Sequence, residues 1–191
     1  MAILPPLSAG QLVFMFFIFS FSGWIGETVM ESTVRRRFVN KGFFKGPYIP
    51  LHGVGAFAIY AVCAPLKHCP ALVFLMGGFI CTLVEYAAAL FLEKAFHARG
   101  WDYDTYPFTR WCHYKKRVAL STSLFFGIAA FWLIYFYWDA AAAVSARIGP
   151  ERLFIADTLL AGVFAVDAAL TGRRCIKNKH AGIPNKPAGL E

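Results

Sequence analysis

The chain reads as an all-α, polytopic helical membrane protein with about five transmembrane helices and, after the first, a Gly/Pro-rich loop that is a candidate for re-entry. Three observations lead there. Of 191 residues, 58% are apolar and only 16% charged, where soluble domains carry about 25% charged residues. Mean hydropathy is +0.53. The apolar residues come in runs of membrane-spanning length, with lysines and arginines gathered at their ends. Topology therefore accounts for the net charge of +8, and no nucleic-acid partner is expected. No linker composition or internal repeat divides the chain, so residues 1–172 read as one membrane domain and 173–191 as a basic, disordered cytoplasmic tail. The first apolar run has no basic segment or cleavage site before it and is expected to remain as an anchor.

Segment one, Gln11 to Val34, exceeds the ~20 residues that cross ~30 Å of hydrocarbon. Its early part is plain apolar helix, but past Gly23 the character changes to Trp24, Glu27 and Glu31. Gly23, Glu27 and Glu31 share one face by their i, i+4 spacing. Arg35, Arg36 and Arg37 mark the boundary, which places Glu27 ~12 Å inside at ~1.5 Å per residue. The block from Asn40 to Phe57, NKGFFKGPYIPLHGVGAF, holds four glycines and two prolines and cannot continue a helix. Phe43, Phe44 and Tyr48 alternate there with Lys41 and Lys45, as suits chain at a membrane boundary. A tight turn between two spans and the wall of a functional pocket both fit it.

Segment two, Leu51 to Ala64, is bracketed by Pro50 and Pro65 and is short for a straight span. Either it borrows Gly46 to Pro50 as non-helical chain at membrane depth or it is a re-entrant piece. Both require cover by protein or a wet cavity. Cys63 and Cys69 flank the following turn and would pair only if it faced an oxidising compartment. Segment three, Ala71 to Leu92, contains Gly77, Gly78, Glu85 and Tyr86, with Glu85 ~13 Å in from Lys94. The loop after it interleaves seven aromatics with six basic residues and two aspartates, a composition for the interface. Segment four, Val118 to Trp138, is uncharged and ends in Tyr135, Tyr137 and Trp138, read as an aromatic belt. Segment five, Leu153 to Thr171, is rich in Ala and Gly and carries Asp157 and Asp167; its small residues suggest close helix contact in a homodimer or hetero-complex.

Sixteen of the basic residues fall on one side of these five spans and three on the other. That split predicts a multi-pass protein of the cell membrane with its N-terminus outside and its tail in the cytoplasm. Five carboxylates lie within or at the edge of apolar spans: Glu27, Glu31, Glu85, Asp157 and Asp167. Ionised at depth, each needs a partner. For Glu27 and Glu31, one turn apart, the candidates are the nearby arginines, a cation or a proton. The structural alternative pairs Glu31 with Arg35 and lets Asp167 bond across helices. His52, just after the Pro50 bend, is a candidate ligand or a packing residue, and Asp102 would cap backbone or pair with Arg99 or Arg110. No metal site is signalled, because the five cysteines form no CxxC pair and no Cys/His set has zinc spacing. GxxxxGK[ST] and GxSxG are absent, so no cofactor is expected in this chain.

The candidate substrate or ion path therefore takes Glu27, Glu31, Glu85 and His52 from the spans. The Gly/Pro block adds Asn40, Gly46, Pro47, Pro50 and Gly53, and the third loop adds Trp101, Asp102 and Tyr103. Glu27, Glu85 and Gly46 to Gly55 are expected to form one site open to the cytoplasm.

Gly23-Trp24 with Glu27, the run NKGFFKGPYIPLHGVG, Glu85-Tyr86 and Trp101-Asp102-Tyr103 together resemble the Putative ABC-transporter type IV family of bacterial integral membrane proteins. The resemblance covers roughly Gly23 to Leu120. Two departures are His52, where the pattern has Tyr, and Thr109 to Cys112, which replace an Asn and a Gly. The resemblance implies a permease-like or substrate-binding subunit without its own ATPase, using ATP only through a partner subunit. Two alternatives stay open on the residues alone. One is a membrane enzyme acting on lipid headgroups, with Glu27, Glu85, His52 and Asp102 as acid/base groups; the other is a non-catalytic assembly protein.

Overall fold

The structure, a computed structural model, describes residues 7–104 and 108–180. It is built from five helical passages. α1 spans Ala9–Arg35 and starts in a capping box, in which Ser8 accepts from the Gln11 amide while the Gln11 side chain accepts from the Ser8 amide. It stops at Arg36, which adopts a left-handed conformation. α2, Pro50–Cys63, starts on a proline and tightens into a 3-10 turn, Ala64–Leu66. α3 spans Pro70–Phe96 and again begins on proline. A two-stranded hairpin, β1 (His113–Tyr114) and β2 (Val118–Ala119), leads into α4, Leu120–Ala146. α5 spans Pro150–His180.

Four of these helices, α1, α3, α4 and α5, are long and apolar enough to cross a membrane, and Pro50–Leu66 is a shorter apolar helix. The chain is an all-α, multi-pass membrane protein. α2 packs against both α1 and α3, and α3 lies along α4. Their seam is tight, with Gly77 against Ala130, and polar at one point, where the Thr82 and Ser123 hydroxyls share a hydrogen bond of 2.7 Å.

α1 and α5 run parallel. Gly10 faces Asp157 and Phe17 meets Phe164 at the same sequence offset, so the two helices keep register over two turns. A helix returning in the direction of the first requires an even number of reversals between them, and α2 therefore counts as a passage despite its length.

Two differences from the expected layout have plain causes. Segment four does not end at an aromatic belt: α4 continues through a π-helical stretch, Leu133–Tyr137, to Ala146. Trp138 is 3% exposed, stacked on Tyr60 at 3.6 Å and on Phe19 at 5.7 Å, because it faces α1 and α2 rather than the interface. Past Arg173 the chain stays helical to His180, since nothing from Arg173 on breaks the run before that point and Arg and Lys are good helix formers. Residues 181–191 of the expected tail lie outside the described residues. The five cysteines, Cys63 and Cys69 included, are free thiols.

Candidate functional site

The Gly/Pro block runs back along α1. A polar row on that helix, Ser20, Trp24, Thr28 and Ser32, recurs every fourth residue and so occupies one face. The Val39 amide donates to the Ser32 hydroxyl at 2.9 Å and the Lys41 amide to the Thr28 hydroxyl at 3.2 Å. The Trp24 indole donates to the Asn40 side-chain oxygen at 2.6 Å, and the Ile49 amide to the Ser20 carbonyl at 3.0 Å. The loop thus descends fifteen residues of helix from the Arg35 end, ~22 Å of rise. This is why α2 is short: it begins part-way down α1, with non-helical chain supplying the rest of the passage, the first of the two alternatives weighed for segment two.

Asp167 of α5 holds the bottom of the loop. It accepts from the Gly46 amide at 2.8 Å, the Tyr48 hydroxyl at 2.5 Å, the Thr171 hydroxyl at 3.2 Å and, more distantly, the Lys45 amide at 3.4 Å. Gly46 is obligatory, because a Cβ there would stand 2.3 Å from the Tyr48 ring. Near the top, Glu31 is 1% exposed and accepts from Arg35 at 2.5 Å and Lys41 at 3.1 Å. Glu31 therefore secures the loop to α1, whereas Pro47 is exposed.

A second cluster lies across the start of α2. His52 Nε2 stands 3.6 Å from Glu27 Oε1, an ion pair when the imidazole is protonated. Gly23 makes this approach feasible, since a Cβ there would fall 2.1 Å from the imidazole. Gly53, on the next face, seats against Phe16 and Ser20, while Gly55 has open space beside it. Glu85, 6% exposed, accepts from the Tyr103 hydroxyl on one oxygen, and its other oxygen has no partner among the described residues. His52 Nδ1 is likewise buried without one. Burial first, then the carboxyl groups of Glu85 and Glu27, hold the Tyr103 hydroxyl above the usual phenol range.

The third loop is folded rather than spread. The Trp101 indole donates to the Arg117 carbonyl at 2.8 Å, Arg99 pairs with Asp102 at 2.9 Å, and Asp102 also caps the Asp104 amide at 3.0 Å. Thr109 donates to the Tyr103 carbonyl at 2.6 Å. Lys115 and Lys116 both have positive φ, 51° and 62°, at the hairpin tip. At Lys116 an ion pair works against that strain: it binds Asp104 at 2.5 Å and lifts its own ammonium above its usual range while lowering the carboxyl, whereas Lys115 lies over the Tyr114 ring. The departure at Thr109 to Cys112 thus closes the loop over Tyr103.

The residues expected at one site fall into separate contacts. Glu27 pairs with His52 and Glu85 with Tyr103, with Trp101 and Asp102 shaping the loop that carries Tyr103. Asn40, Gly46 and Pro50 belong instead to the loop path along α1, and the Gly46 end bonds to Asp167, which the site reading did not include. Among the described residues no group of three or more His, Cys, Asp or Glu is placed to hold a metal.

No curated protein and no solved structure matches this chain. A family model described as Putative ABC-transporter type IV matches residues 14–172, nearly the whole membrane-embedded part, and the chain belongs to that family.

Proposed function

We propose that the chain is a permease-like or substrate-binding membrane subunit of an ABC-type transport system, with a cationic or protonatable cargo. The observation that carries this reading is Glu85: a carboxyl buried between helices, satisfied on one oxygen by Tyr103 and without a partner for the other among the described residues, while Glu27 and His52 form a further polar pair. Leaving a buried acceptor unpaired costs ~1–3 kcal/mol or more, and a site that binds a passing cation recovers it. The sequence has no phosphate-binding loop, so ATP acts only through a partner ATPase subunit docked on the basic, cytoplasmic face. The N-terminus then lies outside, by the distribution of basic residues.

The test is purification from native membranes followed by reconstitution. An ATPase co-purifies, and Na+, K+ or a primary-amine probe such as methylammonium is bound or taken up in an ATP-dependent manner. Glu85→Gln and Glu27→Gln abolish the binding of that probe while the protein stays folded. Recovery of no ATPase, with uptake indifferent to ATP depletion, rejects the ABC assignment; probe binding that survives both substitutions rejects the site.

A further inference from the structure

α5 buries little of its surface, and the loop clamped to it by Asp167 leaves a groove of about 660 Å³ on its outer face. The groove is floored by Tyr48 and walled by Leu159, Val163, Val166 and Leu170, with Lys45 exposed at one end. From Thr158 to Leu170 it follows α5 for ~18 Å, the length of a lipid tail rather than of a compact solute. One turn past Leu170 stands the exposed Arg173. Lys45 is fastened at the level of Asp167, ~9 Å short of Arg173, a gap that a lysine stem lying along apolar surface largely spans.

We infer that this groove binds one anionic phospholipid, its acyl chain along α5 and its phosphate held by Lys45 and Arg173. Charge decides between occupants. A second copy seated on the same face by a two-fold axis along the membrane normal would set Lys45 and Arg173 against their own images. An anionic headgroup complements both cations, and each basic residue near the surface contributes enough to change occupancy about fivefold. The groove is lined by neither Glu27 nor Glu85 and does not rest on any transport role.

Native mass spectrometry of the full chain, released from micelles containing phosphatidylglycerol and phosphatidylcholine in equal amounts, tests the assignment. The wild type retains one phosphatidylglycerol per chain in preference to phosphatidylcholine. Lys45→Ala lowers that retention about fivefold, and Val163→Trp, which fills the groove but keeps the charge, lowers it as well. Lys94→Ala, on α3, leaves it unchanged. Equal retention of the two lipids, an equal loss with Lys94→Ala, or a lipid-free dimer whose contact Val163→Trp breaks would each overturn the inference.

Discussion

Replacing Asp167 with Ala removes the acceptor on which the lower loop converges. Two of its bonds are short, from the Gly46 amide at 2.8 Å and the Tyr48 hydroxyl at 2.5 Å. Hydrogen bonds to a charged group contribute ~1.5–3 kcal/mol each, so their joint loss costs about 3–6 kcal/mol. The contacts at 3.2 and 3.4 Å add little. Tyr48 and Thr171, 8% and 2% exposed, have little access to water as a replacement. Asp167→Asn keeps one acceptor oxygen and turns an amide group toward other donors, so it recovers at most half. Unfolding in mixed micelles measures the change, and hydrogen exchange at Lys45 and Gly46 locates it. In a double-mutant cycle with Tyr48→Phe, the two substitutions couple by ~1–3 kcal/mol. If Asp167→Ala stays within ~0.5 kcal/mol of the parent and leaves exchange at Lys45 and Gly46 unchanged, the loop is held by something else and the clamp is refuted.

Other outcomes follow from the same contacts. Gly23→Ala drives a methyl into the His52 ring and should destabilise the protein by ~1–3 kcal/mol in the same unfolding assay, with the shift removed by His52→Ala. Tyr103→Phe leaves both oxygens of Glu85 without a donor and should raise hydrogen exchange across residues 101–104 while costing ~1–2 kcal/mol. The Asp104 carboxyl, lowered by Lys116, contributes to the third loop above its unfolded pKa and ceases to as pH falls through its folded value. Loop protection factors, with the intrinsic pH dependence of exchange divided out, should therefore hold near neutral pH and fall only under clearly acidic conditions. Thiol labelling in intact cells should reach Cys112 from the cytoplasmic side alone, whereas Cys175, 1% exposed, resists reagents from either side.

The helices were legible because composition, length and charged ends decide them, and Pro50, Pro70 and Pro150 each open one. The Gly/Pro block was legible as non-helical only up to Ile49: Pro50 to Phe57, read as part of the same non-helical run, opens α2, since proline suits a helix start and Gly53 packs there against Phe16 and Ser20. Its path was not legible. The signal for the path was present in Ser20, Trp24, Thr28 and Ser32, a polar row at four-residue spacing within an apolar run. Its meaning depends on which loop atoms reach it, and no local pattern states that. Glu27 and Glu85 stood out as carboxylates within apolar runs, and His52 by following the Pro50 bend. Tyr103 was named with the third loop, but its pairing with Glu85 was not legible, since that partner lies on another element. Asp167 was seen as an acid needing a donor; that the donors are Gly46 and Tyr48 follows from the parallel register of α1 and α5, a long-range property.

The π-helical stretch in α4 sets the angular phase of that helix. One surplus residue in a 3.6-residue turn advances the downstream half by ~100°. Upstream, Gly127 and Ala130 press on Phe74 and Gly77 of α3. Downstream, Trp138 turns to Phe19 and Tyr60, and Tyr137 reaches Ser22 on α1. A single helix thereby presents two differently oriented contact strips to two neighbours. Deleting one residue between Leu133 and Tyr137 would bring the strips back into phase, so α4 could then serve α3 or α1 but not both. Adding or removing a residue at this point is thus far more consequential than exchanging one.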